Sequence, residues 1–389
     1  MSDLTLLEPD GTTRTVPLGP APTFTRPTRP LASRIAYAAA HVIPTAWGDN
    51  TPGAPAEIDW DSTLAFRRHL YSWGLGVADA MDTAQRNMGL DAAATRELIT
   101  RSAADARQVS GRLVVGVNTD HVDDEVIALD SVIDAYVSQL HFAEDAGAGV
   151  VLMASRHLAR AAQSAADYER VYAAVLARAG APVILHWLGA AFDPVLDGYF
   201  GSRRADAASD VLVRIIEANA AHVSGVKMSL LDADAEVSLR SRLPETAPMY
   251  TGDDFNYVAL IEGTPAPSHT YSNALLGAFA AIAPNASAAI QALDEGDASR
   301  YRSILGPTEA LSRQVFAAPT FYYKTGVAFL AWLNGHQPSF TMVGGLHAAR
   351  SLPHLSAIVR LANESGALER PELAAARWHG MLAQNGVGA

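Results

Sequence analysis

From residue 34 onward the chain alternates between two kinds of hydrophobic pattern. Short apolar runs fall at 35–43, 75–81, 113–117, 149–153, 182–187, 223–228, 249–251 and 268–271. Between and after them, at 61–73, 91–109, 131–145, 168–178, 209–220, 233–243, 254–262 and 273–282, apolar positions recur every three or four residues. The runs suit buried strands, and the longer period suits helices with one face on a core. Eight such pairs predict parallel βα units, and eight is the number that closes a barrel. The expected fold is therefore α/β, a (β/α)8 TIM barrel over residues 34–285. A doubly wound open sheet is the competing architecture, but no G-x-G-x-x-G or G-x-x-x-x-G-K-[ST] phosphate loop follows any run.

Beyond residue 285 the strand pattern stops. Helical periods at 286–294, 299–315, 321–333, 354–364 and 371–384 predict a C-terminal helical region over 286–389. Residues 1–33 form an N-terminal arm rich in proline and threonine. Asp10-Gly11, set between 4–7 and 13–18, predicts a short hairpin. This arm is expected to be an appended flap or an oligomer contact, outside the core.

Composition narrows the function classes. With 389 residues, 49% hydrophobic and 18% charged, the chain has the profile of a globular protein. The lack of cysteine removes disulfides, thiolate metal sites and thiol nucleophiles together. A net charge of -12 and a pI of ≈ 5.4 speak against nucleic acid or an anionic membrane as partner. No apolar run reaches the roughly 20 residues of a membrane span. The opening MSDLTLLEPDG has no charged-then-apolar leader, so a cytoplasmic location is expected.

Of 29 basic side chains only Lys227 and Lys324 are lysine; the rest are arginine. A GC-rich genome accounts for the general bias. Positions that keep lysine are candidates for work a guanidinium cannot do, because an amine can be made neutral and nucleophilic.

Catalytic groups of a βα barrel sit at the C-terminal ends of its strands. Those ends carry His41; Asp82 and Thr83; Asn118, Asp120 and His121; Ser155, Arg156 and His157; His186 and Trp187; Lys227; Thr251, Asp253 and Asp254; and His269, Tyr271 and Ser272. Lys227 ends the run Val-Ser-Gly-Val and is expected to point into the mouth. Burying an ammonium there costs on the order of several kcal/mol, so either a partner holds the charge or the pKa falls. A neutral amine adds to an aldehyde or ketone and gives an iminium, an electron sink for making or breaking the neighbouring bonds. The alternative role is a salt bridge to Asp253 or Asp254.

Ser224-Gly-Val-Lys-Met-Ser229 is similar to the Schiff-base strand of the dihydrodipicolinate synthase / N-acetylneuraminate lyase superfamily. Ala181-Pro-Val-Ile-Leu-His-Trp-Leu-Gly189 resembles the preceding strand of that family, and Tyr250-Thr-Gly-Asp-Asp254 the following strand end. Asn273-Ala-Leu-Leu-Gly-Ala-Phe-Ala-Ala-Ile-Ala-Pro-Asn285 resembles its last helix. The whole is similar to a divergent, dihydrodipicolinate synthase-like subgroup of unknown function. The resemblance implies class I aldolase chemistry at Lys227, no cofactor beyond the covalent lysine, a C-terminal helical bundle and a homo-oligomer, a dimer or tetramer.

Two departures from the family shape the site. The family tyrosine that passes protons is replaced by His186, whose ordinary pKa near neutrality suits the same task. The family loop Gly-Thr-Thr-Gly-Glu is missing, and Ala80-Met-Asp-Thr-Ala-Gln-Arg-Asn-Met-Gly-Leu90 stands there. In it Thr83 can donate a hydrogen bond and Arg86 can grip a carboxylate as a bidentate fork. Asp82 would repel a carboxylate, which leaves a hydroxylated, sugar-like substrate open. His157, Asp253 and His269 are further substrate-binding candidates. Gly344-Gly345 and Arg350-Ser-Leu-Pro353 are read as a helix break and cap region closing over the mouth. Lys324, on a C-terminal helix, is read as a surface or packing residue.

Asp82, Asp120, His121, His157 and His186 could together hold a divalent cation, but their spacing matches no recognised motif, and no metal is expected. The expected function is that of a lyase or aldolase acting on a 2-keto acid or keto sugar (acid) through an iminium at Lys227. The alternatives are a metal-dependent barrel isomerase or lyase for sugars, and a non-catalytic barrel that binds a metabolite.

Overall fold

The computed structural model describes residues 3–264 and 270–387. The chain enters as an antiparallel hairpin of β1 (Asp3–Leu7) and β2 (Thr13–Pro17), with Thr5 opposite Thr15. Eight parallel strands then close a barrel: β3 (Ala36–Ala39), β4 (Gly76–Asp79), β5 (Leu113–Val117), β6 (Gly149–Met153), β7 (Val183–Leu188), β8 (Val223–Ser229), β9 (Met249–Thr251) and β10 (Asn273–Leu276). They follow one another in chain order, and β10 pairs back onto β3.

Helices cover the outside: α1 (Trp60–Ser72), α2 (Ala92–Val109), α3 (Leu129–Asp145), α4 (Arg156–Ala161), α5 (Ala165–Leu176), α6 (Ala205–Ala218), α7 (Ala233–Arg240), α8 (Tyr257–Glu262) and α9 (Ala278–Ala281). Their starts are written locally. Asp59, Asp91 and Asp232 each accept a backbone N–H of the first turn, from Ser62, Ala94 and Ala235. The C-terminal region adds α10 (Ala283–Asp294), α11 (Ala298–Leu305), α12 (Thr308–Val315), α13 (Tyr323–Leu333), α14 (Leu352–Glu364) and α15 (Pro371–Gln384).

Strand side chains alternate between the lumen and the helix layer. The barrel floor is apolar, built from Val114, Val151, Ile184, Tyr250 and Leu275 with the small Ala39 and Ala78. Two residues beyond Ile184 the lumen turns polar at His186, which lies in register with Lys227. The alternate residues face outward: Trp187, next after His186, meets Phe200 edge-on at 5.5 Å. Asp79 likewise leaves the lumen and takes a bidentate pair from Arg67 of α1 at 2.7 and 2.8 Å, with Ser102 Oγ donating at 2.6 Å.

Four expectations change. The eighth strand is Asn273–Leu276, inside the stretch read as a helix; of the run expected at 268–271, residues 268 and 269 lie outside the described residues. Asn-Ala-Leu-Leu is buried on both faces, so its apolar run carries no strand alternation. The helical period at 299–315 is two helices, because Gly306-Pro307 interrupts it. The boundary drawn at 285 falls within α10. The N-terminal arm is no loose flap. Leu4 and Leu6 are buried in the core, Ser356 Oγ of α14 accepts from Leu7 N at 2.8 Å, and Trp378 Nε1 of α15 donates to Thr5 O at 2.7 Å.

Candidate active site

β8 carries Lys227 into the lumen, where the side chain is 6% exposed. Space for it comes from Gly252, at the end of β9. A Cβ there would collide with Ser229 Oγ and lie 2.9 Å from Lys227 Cε. No carboxylate among the described residues pairs directly with the amine. Burial pushes its pKa down, while Asp82 and Asp254 hold it up from a distance. Asp254 responds in the opposite sense. Burial pushes its carboxyl up to about 8, against the Ala278 N–H that donates to it at 2.9 Å and the charge of Lys227. Burial thus disfavours the charged form of both the amine and the acid.

His186 stands beside Lys227 and is 1% exposed. Its Nε2 lies 3.1 Å from Ser229 Oγ, and its Nδ1 has no partner among the described residues. Burial first, and Lys227 second, hold its pKa well below the ordinary value. The ring is therefore a neutral imidazole, a hydrogen-bonding group, and the near-neutral pKa expected from sequence is absent. That expectation assumed an exposed ring, and His186 is buried.

Asp82 and Thr83 lie in a 3-10 turn just past β4. Tyr323, at the start of α13, hydrogen-bonds Thr83 Oγ1 and donates to Asp82 Oδ2 at 3.1 Å. Lys324 follows it, 2% exposed, with Nζ 3.2 Å from Phe321 O and 3.8 Å from Asp82 Oδ2. The surface half of the reading of Lys324 is thereby corrected: the side chain is buried at the mouth, and burial pushes its pKa down while Asp82 opposes. Tyr323 was missed altogether. A helix far along the chain offers no pattern that announces contact with a barrel loop.

Other candidates are spoken for. Arg86 does not offer its fork to a ligand. It grips Asp120 at 2.7 and 2.9 Å and donates to the carbonyls of Ala80 and Gly116. Asp253 binds its own turn, accepting from Phe255 N, Asn256 N and Asn256 Nδ2. The neighbour of Lys227 is thus Asp254 and not Asp253. Both ring nitrogens of His157 are engaged, with Thr119 Oγ1 at 2.8 Å and Asp124 O at 2.8 Å. His121 pairs with Gln139, so the five residues weighed as a mouth cation site do not converge. His269 lies outside the described residues.

An inner cavity at the mouth is lined by Asp82, Asn118, Arg156, Phe192, Asp193 and Lys324 among others. Beside it a more polar one of ≈ 200 Å³ is lined by Asn87, Asn118, Asp120, Arg156, His157 and Arg160. Lys227 lines neither; Asp82, whose charge acts on Lys227, lines the inner one. The segment at 343–345 covers the turn after β4, with Gln85 Nε2 donating to Val343 O at 2.8 Å and Gly344 packed on Gly89. Arg350, the other half of the expected cap, instead ties down the carbonyls of Ala317 and Pro319.

The model of a family described as "Protein of unknown function (DUF993)" matches residues 4–387. No curated protein matches the sequence. Solved structures do match in fold. A 4-hydroxy-tetrahydrodipicolinate synthase from Methylacidiphilum fumariolicum SolV is 16% identical, with a TM-score of 0.63 over 88% of this chain and 99% of that one. A prophage protein of the dihydrodipicolinic acid synthase family from E. coli K12, in complex with pyruvate, is 14% identical, with a TM-score of 0.63 over 91% and 99%. A dihydrodipicolinate synthase from Oceanobacillus iheyensis is 15% identical, with a TM-score of 0.58 over 79% and 90%.

Proposed function

The chain belongs to the DUF993 family, and we propose that it is a lyase or aldolase that holds a small carbonyl compound as an iminium on Lys227. The observation that carries this reading is the pairing of a buried amine without a direct counter-ion and a buried acid, Asp254, with its pKa pushed up to about 8. Iminium formation needs both. The neutral amine adds its lone pair to the carbonyl carbon, and the resulting alcohol must receive a proton to leave as water. Asp254, whose charge acts on Lys227, is assigned that proton, with Tyr323, hydrogen-bonded to Asp82, as a second carrier. His186 stays neutral and can hydrogen-bond to, and orient, the substrate beside Lys227.

The substrate proposed is a 2-keto acid or a keto sugar acid. With Arg86 committed to Asp120 and Arg156 paired with Asp193, the cation at the inner cavity that can meet a carboxylate is Lys324. The polar, acid-rich outer cavity suits hydroxyl groups. Resemblance to structures such as the pyruvate complex from E. coli K12 lends support at the level of fold.

The test is borohydride reduction in the presence of a panel of keto acids and keto sugars, followed by intact-mass and peptide analysis. A reduced adduct on Lys227, missing in Lys227→Arg, is the expected outcome. Catalysis or ligand binding that persists in Lys227→Ala would sink the reading and leave a barrel that binds or acts by other means.

A further inference from the structure

Outside the mouth, among the described residues, one set of three His and carboxylate side chains brings a ligand atom from each within 4.8 Å of the others: His69, His336 and Glu369. They come from three separate places, the last turn of α1, the turn after α13 and the segment entering α15. His336 Nε2 lies 2.7 Å from Glu369 Oε1, and His69 Nε2 lies 3.5 Å from the same oxygen. The two rings stand 4.1 Å apart between centroids. Among the described residues no arginine or lysine pairs with Glu369, so the carboxylate faces two imidazoles alone.

The frame around the three is rigid without any ligand. Asn334 Oδ1 accepts from Glu369 N at 2.9 Å, and its Nδ2 donates to Ala367 O at 3.0 Å, which locks the two loops together. Gly335, at a φ of +85°, makes the turn that presents His336. Phe66 lies against both rings, at 6.1 Å from His69 and 5.5 Å from His336. The three side chains are 14%, 18% and 20% exposed, open enough for an ion and a water to enter.

We infer that His69, His336 and Glu369 bind a divalent transition-metal cation at the seam between the barrel and the C-terminal helices. Two imidazoles and one carboxylate are the donor set that Zn²⁺ and its neighbours take, with water completing the shell. Donors about 2.0–2.1 Å from a tetrahedral ion stand about 3.3 Å from each other. The His69–Glu369 spacing already fits, and the His336–Glu369 contact would open by about half an ångström. The ion would cross-link α1 to two loops of the C-terminal region, a role in holding the architecture and not in the chemistry at Lys227.

Untagged protein, stripped with a chelator, would be titrated with Zn²⁺ by calorimetry and with Co²⁺ by visible absorption. The expected result is one equivalent bound, the absorption of a nitrogen-ligated Co²⁺ and a raised Tm. His336→Ala and the size-conserving Glu369→Gln should each weaken binding by at least about tenfold, since removing a ligand costs no less than removing a group behind one. Lys227→Arg should leave it unchanged. The inference is overturned by a wild-type protein that shows no saturable uptake, by uptake that survives in both ligand variants, or by uptake lost with Lys227, which would put the ion at the mouth.

Discussion

Asp82 lies between the only two lysines of the chain, 3.8 Å from Lys324 Nζ and foremost among the charges acting on Lys227. A single carboxylate so placed favours the charged form of both amines, against the burial that disfavours it. The scarcity of lysine was the legible signal, and it pointed to both positions. What it could not convey is which arginine is free. Arg86 looked available because its partner, Asp120, is 34 positions away and nothing local announces the pair. Lys324→Met should raise KM for an acidic substrate by roughly ten- to a hundredfold, the worth of a charged hydrogen bond, while borohydride still traps Lys227. Arg86→Ala should instead cost about 3–5 kcal/mol of stability, as for a broken buried ion pair. Steady-state kinetics and urea unfolding of the two variants separate these outcomes, and a stable Arg86→Ala enzyme with only KM impaired would reverse the assignment. The choice between Asp253 and Asp254 was likewise beyond the sequence, since adjacent residues at a strand end diverge by the set of a turn.

At the scale of elements, strands flanked by clear breaks were legible, and β5, β6 and β9 lie where the apolar runs lie. β10 was not, because alanine and leucine serve a helix as well as a strand buried on both sides. The outward face of the closing strands holds a second acid. Glu236 of α7 accepts from Thr251 Oγ1 at 2.9 Å and Ser272 Oγ at 2.7 Å, at the outer side of β9 and just before β10. Burial pushes its pKa from 4.5 to about 7. The folded state then holds a proton that the unfolded chain has released, so this contribution is full below pH 4.5 and is lost as pH rises to about 7. Asp254, pushed up to about 8, adds a loss of the same sign. Urea unfolding at pH 5 and pH 8 should show wild type losing about 1–3 kcal/mol more than Glu236→Gln across that interval. Parallel profiles for the two proteins would remove Glu236 as a source.

For the whole molecule, the barrel, the C-terminal helices and the hairpin share one continuous core. The hairpin reading was right in residues and wrong in role, because a pattern of five alternating residues cannot name the helices it will meet. Trp378 is fully buried and donates to Thr5 O, joining α15 to β1. Trp378→Ala should cost about 3–5 kcal/mol and keep a single unfolding transition by tryptophan fluorescence and far-UV dichroism. A biphasic curve, with the hairpin and α15 lost first, would mean that the barrel stands without them.

That clamp also sets an order in time. Leu7 finds Ser356 349 positions later, so β1 is made long before the helices that receive it. At about 5–20 residues per second, translation leaves the ribbon without its partners for tens of seconds. A lone two-stranded ribbon is marginal in water, and Leu4 and Leu6 stay uncovered throughout. A segment made long before its partners is therefore among the last to be sealed, and during that interval it is a natural client for a holding chaperone.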